Sequence, residues 1–503
     1  MDLRARGFDP DKYIESQSQY IMERASRYDK LYLEFGGKLM YDRHAARCLP
    51  GYRENAKMEL LKSLRDKAEI VISVGAPDIE ANKVRSDFMT TYDMEVLRLI
   101  DDLRSFELLV NCVVITRYDG QPSADLFRRK LERRGVRTCT HRPIPGYPYD
   151  IDTIVSDRGY GSQAYIETTR PIVVVTAPGP GSGKLATCLS QIYNEFRRGR
   201  QCCYAKFETF PVWNLPLKHP LNVAYEAATA DLNDFNMLDS YHLDAYGVTA
   251  INYNRDMEMF PVLKRMLDRI MGNSVYSSPT DMGVNRIADG IIDDDIVRAA
   301  ARQEIIRRYL RARCDYKKGT IPAEVLARNQ SIMENEGLKP EMRSTVLPAR
   351  CYHESVCARF GTAEGQCAVA IELPCGTVVT GRQSDQMSAP AAALLNAVKV
   401  LGSIPDSMRL LPDSVLDPIL DLKVNKLKAY SRVLNCEEAL MALSLSAVMS
   451  PAAKTAIEHL PDLAGSQAHC TAMVIAADDR LYKRLGIDLT CDDEFLSTDL
   501  LER

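Results

Sequence analysis

The run VVVTAPGPGSGKLATCLSQ, Val173 to Gln191, admits few backbone solutions. Three valines and a threonine favour an extended strand buried on both faces, because β-branched side chains pack well on a pleated surface and lose freedom in a helix. Alternating Gly and Pro from Pro178 to Gly183 then exclude a regular element, since Pro removes donors and Gly supplies conformations other residues rarely adopt. Leu185, Leu189, Ile192 and Phe196 follow at helical spacing. Strand, stiff turn and helix in that order make half of a parallel β-α-β unit, so this stretch alone points to an α/β fold.

The first 210 residues repeat the theme. Strands are expected at Leu31–Phe35, Glu69–Val74, Leu108–Ile115, Val136–His141, Ile172–Thr176 and Cys202–Phe207. Helical patterns lie between them, among them Met94–Phe106 with Asp93 as its N-cap, and Ser123–Arg134 closed by Gly135. This predicts an N-terminal α/β domain over 1–290 with a mostly parallel sheet, although residues 211–290, rich in Pro, Asn, Tyr and Asp, resist local classification. Residues 291–345 read as a helical section, with charged amphipathic helices at 291–315 and 322–336. A C-terminal α/β subdomain is expected over 346–503. Its features are a hairpin turning at Pro374–Gly376, an apolar helix at Pro390–Leu401 with Ser388 before it, helices at 413–430 and 436–449, and a strand at Thr471–Ala476.

A chain of 503 residues exceeds one ordinary core, in keeping with several domains. Its formal charge of -4, with both signs interspersed, argues against a nucleic-acid binder. No apolar run is long enough to span a membrane, and the start, MDLRARGFDPDKYIESQ, has no apolar signal segment. The 14 cysteines lie mostly in apolar runs with no CxxC spacing, which predicts reduced thiols, no structural metal and a cytoplasmic protein. Oligomeric state stays open, a homo-oligomer included.

A Walker A loop requires G-x-x-x-x-G-K-[ST] between strand and helix. Lys184 after Gly183 satisfies the end of that pattern. Counting back places Pro178 where the first glycine belongs, with Gly179 one residue short, and Leu185 stands where a hydroxyl would hold magnesium. The ATPase label therefore fails. What survives is an anion site: backbone of Gly179, Gly181 and Gly183 at a helix N-terminus, where dipole and unpaired amides favour negative charge, with Lys184 as counter-charge and Ser182 and Thr187 as nearby hydroxyls. The competing reading is a rigid turn in which Gly183 only lets strand and helix pack closely.

Other polar loops are expected at the same sheet edge, where open α/β sheets bind ligands. LEFGGKLMYDRHAARCLPG supplies Gly36, Gly37 and Lys38 for phosphate, with Glu34, Asp42 and His44 as candidate acid-base groups. Arg117, Asp157 and Arg158 follow in comparable loops. Lys218 and His219 lie near the only tryptophan, Trp213, with Glu226 and Asp231 beyond. Each has a plain structural alternative, ion pairing or turn chemistry. Asn252–Asp256 and Ser278–Asn285 are dense in hydrogen bonders, as binding loops and ordinary turns both are. His353-Glu354 lacks the spacing of the zinc-deaminase signature, and no serine-hydrolase, zincin or dinucleotide fingerprint stands in usable context. The cofactor is unspecified.

Read together, GFDPDKYIESQSQYIMER, LYLEFGGKL, TYDMEVLRLIDDLR, TAPGPGSGKLATCLSQ, KFETFPVWNLPLKHP and SPTDMGVN resemble the bacterial proteins of domain of unknown function family 1846 along essentially the full chain. The resemblance implies an α/β N-terminal region, a helical section and a C-terminal α/β subdomain in a cytosolic protein. Some members are described as ATP-dependent peptidases, but this chain has neither a zincin motif nor a recognisable nucleophile motif. The functional expectation is a protein that binds a phosphate-bearing small molecule or nucleotide at 177–187, as an enzyme or as a binder. The alternative is an assembly protein in which that loop is architecture.

Overall fold

The computed structural model describes residues 6–85, 90–273, 275–361 and 365–496. The charged start of the chain, residues 1–5, lies outside them. Contacts divide the chain into two units, with the principal boundary between Ala301 and Arg302, inside the helix Asp294–Lys317.

The N-terminal unit is built on a sheet of six parallel strands: β1 (Lys30–Phe35), β2 (Ala68–Gly75), β3 (Leu109–Thr116), β4 (Thr138–Thr140), β5 (Ile172–Thr176) and β6 (Cys202–Phe207), in the order β4-β3-β2-β5-β1-β6. Every residue of β2 and β5 is buried, as parallel strands covered on both faces require. One face packs on α1 (Pro10–Ala25), α2 (Ala56–Ser63), α3 (Tyr92–Ser105) and α4 (Pro122–Glu132) through Ile21, Leu61, Ile100 and Phe127. The other packs on α5 (Lys184–Arg197) and α6 (Asn254–Met271) through Leu189, Ile192, Phe260 and Leu267. The expected strands and helices of this half are thus present, within a few residues at their ends. Asp93 is not the cap expected of it: α3 begins two residues earlier, its N-cap position is Thr91, and the Asp93 carboxylate accepts from the Thr91 hydroxyl.

The order of the strands creates the crevice. From β2 the chain moves outward to β3 and β4, returns to insert β5 between β2 and β1, and then leaves in the opposite direction to β6. Connections that diverge from the carboxyl ends of neighbouring strands leave a depression there, and here the neighbours are β2 and β5. Residues 211–290, hard to place by pattern, contain α6 and a two-stranded ribbon of β7 (Asn236–Leu238) against β8 (Ile251–Tyr253).

The C-terminal unit carries a mixed sheet of β9 (Ala368–Glu372), β10 (Val378–Arg382), β11 (Gln467–Cys470) and β12 (Asp488–Cys491), in the order β10-β9-β11-β12. The hairpin turns at Pro374–Gly376 as expected, with Gly376 at φ 83° and its amide 2.8 Å from Leu373 O. The helix Ala389–Leu401 is capped by the Ser388 hydroxyl. The strand expected at Thr471–Ala476 is corrected to Gln467–Cys470. His469 disguised it: the imidazole is fully buried inside the sheet, with Nδ1 2.9 Å from the Thr490 hydroxyl, while the apolar run after it leads into the helix Ala476–Arg484. The helix begun at Asp413 passes at Leu422 into a π-helical turn that ends at Lys426, and the one begun at Cys436 ends at Ser446, each a few residues short of the expected 430 and 449. No described helix is long and apolar enough to cross a membrane.

Candidate functional site

Parity along β1 and β6 decides which side chains meet. Side chains alternate across a strand, and Tyr32 and Tyr204 face α5, so Glu34 and Lys206 face it too. These two residues are direct register partners. Lys184, the first residue of α5, places its ammonium 3.9 Å from Glu34 Oε1. The Tyr204 hydroxyl donates to Glu34 Oε2 at 2.8 Å. Lys206 Nζ lies 2.7 Å from Asp256 Oδ1 and 3.0 Å from Glu208 Oε1. Two lysines, three carboxylates and a phenol therefore converge at the carboxyl edge of β1, β5 and β6.

The electrostatics of this edge are unusual in one respect. The Glu208 carboxyl is pushed up to about 7, chiefly by burial, with Lys206 pulling it down and the carboxylates of Asp256 and Glu34 pushing it up. For Lys206, burial favours the neutral form, but Asp256, Glu208 and Glu34 outweigh it and hold the ammonium charged. A carboxyl group that titrates near neutrality and touches an ammonium is suited to proton transfer. Because the folded-state value lies above the unfolded one, folding favours the protonated form. That contribution is complete below about pH 4.5 and is lost as pH rises to about 7. Melting temperatures taken between pH 5 and 8 are therefore expected to fall in wild type relative to Glu208→Gln as pH increases. Parallel profiles for the two proteins would show that Glu208 has an ordinary acidity.

The Gly-Pro loop is turned inward more than expected. The Ser182 hydroxyl donates to Gly179 O at 2.9 Å, and the Thr187 hydroxyl to Gly183 O at 3.0 Å. Both side chains are fully buried, which removes them as ready ligands for a phosphate. Gly183 caps α5 at φ 85°, against Thr116, whose hydroxyl donates to Ser182 O at 2.8 Å. A side chain at Gly179 would overlap the Tyr92 hydroxyl. Gly181 is open, at φ 74° and with space for a side chain around it.

The remaining candidates separate into two groups. Gly36, Gly37 and Lys38 do lie at this edge: Gly36 N donates to Phe207 O at 2.9 Å, while Gly37 and Ala177 wall a separate crevice on the α3 side, with Glu95, Arg98 and Leu99. That crevice holds about 20 Å³, little more than one water. Asp42 caps the short helix Arg43–Cys48 and pairs with Lys57 at 2.8 Å; burial opposes ionisation, but Lys57 keeps the carboxyl low. Next to it, the His44 ring meets Phe210 and Tyr225 edge-on, each at 5.2 Å, and its Nε2 lies 3.7 Å from Cys48 Sγ. Tyr225 feels both Glu208 and Asp42, so the two groups flank one aromatic cluster.

Elsewhere the candidates disperse. Arg117 pairs with Asp78 at 2.7 Å at the end of β3. Asp157 pairs with Arg197 and accepts from Tyr193, at the far end of α5, about 20 Å along the helix from Lys184 at 1.5 Å per residue. Arg158, in the turn beside it, and Lys218 are exposed. His219 is buried against Asp294 at 3.0 Å, a structural pairing. No group of His, Cys, Asp and Glu able to hold a metal occurs among the described residues.

Tyr204, Lys206 and Glu208 were not among the residues singled out from the sequence, and Asp256 was named only as the end of the hydrogen-bonding stretch Asn252–Asp256. One signal for them existed: a lysine inside the apolar strand CCYAKF, on the same parity as Tyr204.

Comparison with known proteins places the chain in a family. A family model described as domain of unknown function DUF1846, N-terminal, matches residues 6–337, and its C-terminal counterpart matches 341–501. The chain is 57% identical over 495 residues to a UPF0371 protein of Clostridium tetani, covering 98% of this chain and 99% of the relative. It is 56% identical over 495 residues to a UPF0371 protein of Clostridium botulinum (strain ATCC 19397 / Type A), with the same coverage of each. With matches this extensive in both halves, the chain belongs to the DUF1846 family.

Proposed function

We propose that the N-terminal unit binds a phosphate-bearing small molecule or nucleotide at the carboxyl edge of its sheet, between the 177–187 loop and the ends of β1 and β6. The observation that carries this reading is the position of Lys184. Its ammonium sits at the start of a 14-residue helix, and its one ion pair among the described residues, to Glu34, is stretched to 3.9 Å. Lys206, by contrast, is held at 2.7–3.0 Å by two carboxylates and serves the site's structure. A phosphate oxygen entering beside Lys184 gains the ammonium and the unpaired first amides of α5. Glu208, titrating near 7, is the group best placed to exchange a proton with such a ligand.

The competing reading also has support. Ser182 and Thr187 spend their hydroxyls on the loop itself, and Gly179 and Gly183 pack against Tyr92 and Thr116, as they would in a purely architectural turn. One experiment separates the two. Nucleotides, sugar phosphates and polyphosphate are screened by thermal shift on wild type and Lys184→Ala. A ligand at a hundredfold excess over Kd stabilises by about 2.7 kcal/mol, a shift of several degrees that the variant should lose. Absence of any shift in wild type, or an equal shift in the variant, would leave the loop as architecture.

A further inference from the structure

A second concavity, of about 160 Å³, opens beside the edge strand β6 and is lined by Tyr20, Trp213, His242, Thr280, Asp281 and Arg286. It is anchored to the sheet by Val284, whose amide donates to Lys206 O at 3.0 Å. On the same scale its size corresponds to about ten waters. That is below the several hundred Å³ of sites for drug-sized ligands, and it matches a metabolite the size of an amino acid.

The walls are held rigidly while two opposite charges face the space. Trp213 Nε1 donates to Asn285 O at 3.0 Å, which sets the plane of the indole. The Arg286 guanidinium lies 4.0 Å from the centre of the Tyr20 ring, a stacked cation–π contact that orients its fork. Among the described residues no carboxylate lies within ion-pair distance of that guanidinium, and no side-chain hydrogen bond satisfies it. On Asp281, Oδ2 is occupied by the amides of Ser277 and Ser278, at 2.8 and 3.0 Å, and by the Tyr246 hydroxyl at 2.9 Å. Among the described residues its Oδ1 has only the His242 ring, 3.8 Å away. His242 Nδ1 is itself engaged with the Ser278 hydroxyl at 2.8 Å.

We propose that this cavity binds a small zwitterion of the α-amino acid class. The ligand carboxylate pairs with the two-pronged guanidinium of Arg286, the ammonium with Asp281 Oδ1, and the ligand side chain lies against Trp213 and His242. The geometry favours this class over a simple anion because a positive and a negative group face one cavity without pairing with each other. Each is left with hydrogen-bonding capacity that costs free energy when half-buried and unused. Fork-shaped donors match carboxylates in two parallel bonds. The cavity shares no residue with the Lys184 edge, so it stands or falls independently of the phosphate reading.

Trp213 is the only tryptophan of the chain, so its emission reports directly on this cavity. Titrating the full-length protein with each of the twenty amino acids is expected to give a saturable change in Trp213 fluorescence for at least one of them. The matching carboxylate without the amine, and the matching amine without the carboxylate, are expected to bind at least about tenfold more weakly. Arg286→Gln should weaken binding by about tenfold or more, with Arg286→Lys intermediate because it keeps charge but loses the fork. Should the Gln variant not fold, the Lys variant carries the comparison. No response to any amino acid, an equal response to the carboxylate alone, or unchanged affinity in the Arg286 variants would overturn the proposal.

Discussion

Replacing Glu195 with leucine is expected to destabilise the N-terminal unit by about 3–5 kcal/mol, the usual cost of stranding one partner of a buried ion pair. Glu195 is fully buried on α5, and its Oε1 lies 2.9 Å from Lys30 Nζ, itself 7% exposed at the start of β1. The Tyr32 hydroxyl donates to the same oxygen at 3.0 Å, and Arg200 reaches Oε2 at 3.1 Å. Removing the carboxylate leaves the Lys30 ammonium beside Thr168 O, at 2.8 Å, with no buried counter-charge. The double change Lys30→Met with Glu195→Leu removes the whole pair and should recover much of the loss, since well-packed apolar replacements of buried pairs are often neutral. Urea unfolding followed by Trp213 emission reads this unit specifically. A single-variant loss below about 1 kcal/mol would mean that water, rather than Lys30, compensates Glu195.

Gly183→Ala is expected to cost about 2–4 kcal/mol, combining backbone strain with overlap in a packed site. At φ 85° an alanine adopts a conformation unfavourable to L-residues, and its Cβ would come within 2.9 Å of Thr116 Cγ2 and Oγ1. Thr116 cannot yield freely, because its hydroxyl holds the Ser182 carbonyl. Gly181→Ala supplies the control: with φ 74° and open space around it, the cost should be backbone strain alone, about 1–2 kcal/mol. Thermal melting of the two variants gives the difference. Phosphate-induced shifts in both then show whether Gly183 serves a ligand as well as the turn. Equal destabilisation by the two changes would remove the Thr116 contact as the reason for glycine at 183.

The legibility of this chain follows the range of the interactions involved. Strand β5 was readable to the residue, because a run of β-branched residues before a Gly-Pro turn has no other comfortable conformation. The 211–290 segment was not, because its short ribbon and Asn-rich turns are held by side-chain bonds between distant positions, such as Asn252 to Thr280 at 2.7 Å. His469 misled for a related reason: a buried imidazole in a strand is tolerable because Thr490, on the next strand, and Asp492, 3.4 Å from its Nε2, answer it. At the candidate site the loop, Lys184 and Glu34 were legible as types suited to a sheet edge. Lys206 and Tyr204 were not, since a lysine in a strand acquires meaning only from its lateral neighbours, and Asp256 stood out only as part of a hydrogen-bonding stretch.

By itself, then, the amino-acid sequence determined the α/β class, most element positions, the carboxyl-edge loops and the failure of the Walker pattern. All of these depend on periodicity and spacing within about twenty residues. Only the tertiary structure decided that β5 inserts between β2 and β1, that Glu34 stands beside Lys206, and that Ser182 and Thr187 turn inward. It alone brought Tyr20, Trp213, Asp281 and Arg286 around one cavity. Strand order and register arise from long-range packing of whole faces, which no local stretch of sequence encodes.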